Sequence, residues 1–395
     1  MLTMAKGGPD ADFSSNFEDL AFTRSATVIE SNRTNRAGLA SLFLFFAVML
    51  SACTPQNAQV PNQKAIDAIM QAYAGDVPGA SLLVVRDGVP LVRRSYGLAN
   101  LEDKTAVTPA TNYRLASVTK QFTAASILLL AEDGRLSLDD PIRKWLPSLP
   151  DTDEAITIRH LLTHTGGLID YEDIMPDAGD EDPVTDFSKQ LRDIDVLHLL
   201  EKERRVYFAP GAQYRYSNGG YSLLALIVER ASGQSFQSFL HDRIFKPLRM
   251  DNTLAYVVEG PPVPNRAYGY TPIDGKWQRT DQSLTSAVLG DGGVYSSIDD
   301  LAKWDAALYD NRLLSDASRK LAFTPWTKTD DASIEYGFGW RITGETLWHS
   351  GESIAFRNVI VRYPQRHLSV IILTNRNDPE PYRMALSIAE LFLAK

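Results

Sequence analysis

Cysteine is nearly missing from this chain: 395 residues hold one, Cys53. That excludes a disulfide framework and a thiolate metal cluster. A surplus of positive charge is missing as well. Lys and Arg number 40 against 49 Asp and Glu, and the net charge of −9 argues against nucleic acid as a partner. There are no internal repeats and no low-complexity tracts. With 44% hydrophobic residues the chain can bury a large globular core or two subdomains. The uncharged stretch from Ala37 to Ala52 is short for a membrane span but has the length of a secretory apolar segment.

Arg33 and Arg36 precede that stretch and Leu50-Ser51-Ala52-Cys53 ends it. The ending resembles the bacterial lipobox, which implies lipidation of Cys53 as the mature N-terminus. The product would be an exported lipoprotein anchored to the membrane and facing the periplasm. An ordinary cleaved signal peptide and an uncleaved anchor are the alternatives. Asp10, Asp12, Glu18, Asp19 and Glu30 do not suit a basic leader, and point to a translation start read too far upstream. Residues 1–52 are therefore expected to be an extension and signal peptide. Residues 53–64 are expected to be the lipidated cysteine and a polar tether, and residues 65–395 the folded domain.

Asp87-Gly88 separates two β-rich runs, Ala80 to Arg86 and Val89 to Gly97, and reads as a hairpin. A second hairpin is expected from Phe356 to Tyr363 and Leu368 to Asn375, followed by an amphipathic helix from about Pro381 to Leu393. Hairpins at both ends imply an α/β protein of the α+β type. Its antiparallel sheet is built from N- and C-terminal strands, flanked by helices, around a mostly helical insertion. The expected division is a sheet subdomain of about 65–110 and 330–395 and an insert of about 111–329. The stretch from Asp170 to Asp186 carries eight acidic residues and reads as an exposed loop or a lid.

Ser117-Val118-Thr119-Lys120 opens an apolar run, Phe122 to Ala131, with no Gly or Pro before Gly134. On a helix, residues three apart share a face, so the Lys120 amine can reach the Ser117 hydroxyl. A serine needs such a neighbouring base to become a nucleophile. Taken alone, the pattern means a capping serine and a solvated lysine. Tyr216-Ser217-Asn218 places a phenol and a carboxamide beside the entry to another apolar helix; alone, it is a capped helix start. His349-Ser350-Gly351 precedes the last hairpin, and Gly351 allows close approach to an edge strand.

Together and in this order, the three motifs resemble those of serine β-lactamases and penicillin-binding DD-peptidases. Leu161 to Leu168 (LLTHTGGL), Gly292 to Ser297 (GGVYSS) and Tyr336 to Trp340 (YGFGW) resemble the class C-like branch. The resemblance implies that fold, with Ser117 as the acylated nucleophile, Lys120 as its base and Tyr216 as a proton relay. It implies substrate contacts from Asn218, His349 and Gly351, and an oxyanion hole made by the N–H groups of Ser117 and Glu352. It implies no metal and no cofactor. The partner is a small-molecule or peptide substrate, and the oligomeric state stays open. His349 stands where many relatives carry lysine, which resembles peptidases and esterases more than efficient β-lactamases. The expected activity is therefore on small peptides, D-amino-acid amides or esters. β-Lactamase or DD-carboxypeptidase action and a non-catalytic penicillin-recognition module are the alternatives.

An imidazole titrating at about 6.5 would give His349 a pH limb in the working range. Glu352 would place an acid at the cleft and favour neutral or cationic substrates, and Arg357 is the rival that would clamp a carboxylate. On one regular strand the two would point to opposite faces. Two competing sites are rejected. Gly351-Glu352-Ser353 lacks the helix after the serine that a nucleophile elbow needs. His160 and His164 lack the glutamate of a zinc-binding H-E-x-x-H and read as structural.

Overall fold

The computed structural model describes residues 62–153, 155–175 and 189–393. Cys53, most of the tether and the acidic residues from Asp177 to Asp186 lie outside the described residues.

Eight strands form one antiparallel sheet: β1 (Ala80–Arg86), β2 (Val89–Tyr96), β3 (Thr327–Lys328), β4 (Glu335–Tyr336), β5 (Arg341–Thr343), β6 (Thr346–Ser353), β7 (Phe356–Tyr363) and β8 (Leu368–Thr374). Their order is β3-β4-β5-β6-β7-β8-β1-β2. β1 and β8 pair from Ala80↔Thr374 to Arg86↔Leu368, so the two ends of the domain meet inside the sheet. Asp87 and Gly88 both take positive φ, 52° and 75°, the backbone that a tight two-residue hairpin requires.

Both faces of the sheet are covered. Leu82, Val84, Val370 and Ile372 pack on one side with Ile66, Met70, Ile388 and Phe392. Ile66 belongs to helix α1 (Gln63–Ile69), Met70 caps its C-terminal end, and Ile388 and Phe392 belong to helix α4 (Pro381–Leu393). Leu83, Val85, Ile371 and Leu373 face the opposite way into the larger core. Successive side chains alternate faces, so burial on both sides explains why β1 and β8 read as unbroken apolar runs. Pro381 opens α4, where a missing N–H leaves no bond unmade.

Between β2 and β3 helices predominate among the regular elements of the described residues. Helix α2 (Lys120–Glu132) is buried from Lys120 through Leu130, which explains its all-round apolar sequence. Helix α3 (Asn218–Ser232) packs beside it. A small antiparallel sheet of Tyr113–Arg114, Leu254–Ala255 and Val294–Ser296 also lies in this region, and the helical pattern did not foretell it. Its bond from Leu115 N to Val294 O, 2.8 Å, holds the chain just before Ser117.

Candidate active site

Ser117 sits on a single 3₁₀ turn, Ala116–Thr119, that leads directly into α2. Ala116 has φ +50°, in the left-handed region that alanine rarely occupies, so the turn before the serine is held under strain. Val294 N donates to Thr119 Oγ1 at 3.2 Å and Asn358 Nδ2 donates to Arg114 O at 2.8 Å. Those bonds hold the turn from two sides. Asn358 is fully buried on β7 and carried no motif that would single it out in the sequence.

The Lys120 amine is completely buried. Its Nζ lies 3.1 Å from Ser117 Oγ, 2.7 Å from Asn218 Oδ1 and 3.0 Å from Asp291 O. Asn218 Nδ2 donates to Glu172 Oε2 at 3.1 Å, which turns its carbonyl oxygen toward the amine. Two of the three neighbours of Nζ can only accept, whereas the Ser117 hydroxyl can accept or donate. As an ammonium the amine donates to all three; with one proton removed, its two hydrogens would still satisfy both obligate acceptors and its lone pair would face the Ser117 O–H.

Ser217 Oγ accepts from Gly220 N at 3.0 Å and caps α3, which leaves the neighbouring Asn218 free to hold Lys120. The Tyr216 ring lies beside the amine, with Nζ 4.8 Å from its centroid. Among the described residues no hydrogen bond ties down its phenol oxygen.

β6 pairs with β5 only from Thr346 to Trp348, but with β7 from Leu347 to Ser353. Beyond Trp348 it presents a free edge, and the nucleophile turn packs on that edge. A Cβ added at Gly351 would lie 2.0 Å from Leu115 O and 3.2 Å from Ser117 N. The close approach that demands glycine here is made by the chain's own backbone.

His349 departs from expectation. It is 1% exposed and does not line the cavity at Ser117. Nδ1 is 2.6 Å from Ser350 O, a group that only accepts, so Nδ1 carries the hydrogen and Nε2 accepts from Tyr336 OH at 3.0 Å. Both nitrogens are used within the chain and neither is left for a substrate. Burial, with Arg341 and Lys120 nearby, pushes its pKa well below the usual value. These surroundings favour the neutral imidazole, and no pH limb at about 6.5 is expected from it.

Glu352 and Arg357 also differ from the reading of one continuous strand. A two-residue turn at Ile354-Ala355 separates β6 from β7 and makes them cross-strand partners on the same face. Arg357 Nη2 lies 3.4 Å from Glu352 Oε2. Ser353 ends β6 and is followed by a strand, as the rejection of an elbow serine required.

A cavity of about 210 Å³ opens at Ser117, lined also by Arg114, Glu172, Asn218, Asp291 and Glu352. Burial raises the Asp291 carboxyl to about 7; Lys120 opposes the rise, and Asp193 and Glu172 add to it. Its Oδ2 accepts from Tyr171 OH at 3.3 Å. Burial and the nearby Asp170 also raise Glu172. The acidic stretch reads in the sequence as an exposed loop or a lid, and its first residues serve the site: Asp170 accepts from Gly219 N at 3.1 Å and Glu172 holds Asn218. Neither Glu172 nor Asp291 was singled out in the sequence, because each reaches the serine only through the fold.

His160 Nδ1 accepts from Thr157 N at 3.2 Å and helps cap the helix Ile158–Leu162, whereas His164 Nδ1 accepts from Ser217 N at 3.1 Å. Each imidazole has its own structural partner.

The beta-lactamase family model matches residues 63–395. Over 323 residues the chain is 33% identical to penicillin-binding protein 4* of Bacillus subtilis strain 168, spanning 78% of this chain and 70% of that protein. It is 30% identical over 334 residues to protein flp of Staphylococcus aureus strain NCTC 8325, spanning 80% of this chain but 64% of that protein. Among solved structures, the penicillin-binding protein from Bacillus halodurans aligns with a TM-score of 0.73 at 29% identity, over 83% of this chain and 99% of that one. The chain belongs to the beta-lactamase family and is a serine hydrolase of the β-lactamase and DD-peptidase type.

Proposed function

We propose that Ser117 is acylated and that the natural substrates are small peptides, D-amino-acid amides or esters that are neutral or carry an amine. The observation that carries this reading is the setting of Lys120, whose amine has two obligate acceptors and one reversible neighbour, Ser117. Lys120 takes the Ser117 proton as Oγ attacks the substrate carbonyl carbon. The developing oxyanion is met by the N–H groups of Ser117 and Glu352, donors that need no reorganisation. Tyr216 passes a proton to the leaving amine or alcohol, the C–N or C–O bond breaks, and water then hydrolyses the Ser117 ester.

The cavity wall supports this substrate class. Glu172, Asp291 and Glu352 line it, and Arg357 is engaged by Glu352 and by Asn377 O at 3.4 Å. Ionised carboxylates around a cleft concentrate ligands of opposite charge, and burial that raises Glu172 and Asp291 toward their neutral forms leaves this role chiefly to Glu352. Matched p-nitrophenyl esters bearing an amine or a carboxylate, run beside a D-alanyl amide and nitrocefin, test this directly. The amine ester is expected to give the higher kcat/KM, with the advantage reduced in Glu352→Gln. A preference for the carboxylate ester that vanishes in Arg357→Ala would assign the cleft to Arg357 instead. Nitrocefin as the best substrate would make the protein a β-lactamase.

Export and anchoring rest on the basic, apolar and Leu50-to-Cys53 segments of the sequence. We propose attachment through a lipid on Cys53, in which case Cys53→Ser moves the protein from the membrane to the soluble fraction. Unchanged membrane association in that variant would favour an uncleaved anchor.

A further inference from the structure

His164 belongs to the sequence stretch LLTHTGGL and takes no part in the scheme above, yet it touches the site at three points. Its carbonyl accepts from Arg215 N at 3.0 Å and its Nδ1 accepts from Ser217 N at 3.1 Å. These bonds grip the backbone on either side of Tyr216. Its ring lies 4.3 Å from the Tyr216 ring, centroid to centroid, at an interplanar angle of 34°. The other face of that environment is aromatic too: Tyr221 lies at 5.0 Å and Tyr336 at 4.6 Å.

Two further features are hard to explain by packing alone. His164 has φ +58°, a left-handed backbone that suits glycine and asparagine better than histidine. Its Nδ1 accepts a bond, so the hydrogen of the neutral ring is on Nε2, and that atom is buried with no hydrogen-bond partner. A residue chosen only to fill space would avoid both penalties. What histidine supplies, and a purely apolar ring does not, is an acceptor at the Nδ1 position together with a flat face for stacking.

We propose that His164 is the positioning residue for Tyr216, holding the tyrosine backbone from both sides and its ring from one face so that the phenol stays beside Lys120. No hydrogen bond fixes the Tyr216 oxygen among the described residues, so its place is set through its backbone and through contacts to its ring, where Lys120 and Arg341 add to the His164 stacking at 4.8 and 5.6 Å from the centroid. The inference rests on the proposed relay role of Tyr216. Displacing a catalytic group by about 1 Å is enough to lower a rate on the order of 10²-fold.

A set of substitutions separates the acceptor from the ring. His164→Phe keeps a ring without an acceptor, His164→Asn keeps an acceptor near Nδ1 and tolerates the left-handed backbone, and His164→Gln moves the acceptor outward. Each is measured for kcat, KM and thermal midpoint, with a double-mutant cycle between His164→Phe and Tyr216→Phe. His164→Phe is expected to lower kcat on the order of 10²-fold with KM little changed, and to add nothing in the Tyr216→Phe background. His164→Asn, which restores the acceptor but not the stacked ring, is expected to recover part of the kcat lost in His164→Phe, and His164→Gln to recover none. Equal losses for His164→Phe with and without Tyr216, or equal rates for Asn and Gln, would overturn the proposal. If His164→Phe does not fold, the Asn and Gln pair decides. Failure of the underlying reading looks different: wild-type protein would then take no covalent label on Ser117, or Tyr216→Phe alone would leave kcat unchanged.

Discussion

Ser117→Ala is expected to lower kcat on the order of 10⁴-fold or more and to abolish covalent labelling by a fluorophosphonate or a fluorescent penicillin. The fold is expected to survive intact. Alanine removes one oxygen, and the Lys120 amine keeps Asn218 Oδ1 and Asp291 O as partners. The stability change should therefore stay within about 1 kcal/mol. Ser353→Ala is the matched control, because Ser353 lines the same cavity at the end of β6. A Ser117→Ala protein that still turns over substrate, beside an inactive Ser353→Ala protein, would sink the assignment of the nucleophile.

Gly351→Ala is expected to do comparable damage by a different route. The backbone there is extended, so the substitution brings no penalty in φ. The difficulty is steric, since the new methyl would sit 2.0 Å from Leu115 O and 3.1 Å from Leu115 C. Both are backbone atoms, and neither can swing aside as a side chain does. Either β6 moves off the turn or the turn moves off β6, and both motions separate the Ser117 N–H from the strand that carries the Glu352 N–H. Losing one oxyanion donor lowers kcat by about 10²- to 10³-fold, and overpacking of this kind costs about 1–3 kcal/mol of stability. Acylation rate and thermal midpoint are the two readouts. A variant that acylates at the wild-type rate with an unchanged midpoint would show that this contact does not shape the oxyanion site.

The two substitutions also distinguish chemistry from architecture. Ser117→Ala takes away a reacting atom and leaves its surroundings standing. Gly351→Ala leaves every reacting atom present and moves the frame. A fall in kcat with an intact midpoint belongs to the first kind, and a fall in both belongs to the second.

The sequence by itself determined the features written within a few neighbouring residues. Asp87-Gly88 specified a hairpin because glycine and aspartate accept positive φ, and the run after Lys120 specified a helix that ends before Gly134, where φ is +68°. The pairing of Ser117 with Lys120 was legible for the same reason, since helical spacing alone brings a side chain within reach of its neighbour three residues away. The order of the three motifs carried the family. Only the tertiary structure decided what those residues meet. Lys120 finds Asn218 and Asp291, 98 and 171 residues away along the chain, because α2, α3 and the segment before Val294 pack together. His349 turned inward to Tyr336, and Glu352 met Arg357 across a turn that strand alternation alone did not reveal. Backbone torsions and periodicity are local and are read from composition and spacing, whereas a hydrogen-bond partner or a buried charge depends on which surfaces the whole chain brings into contact.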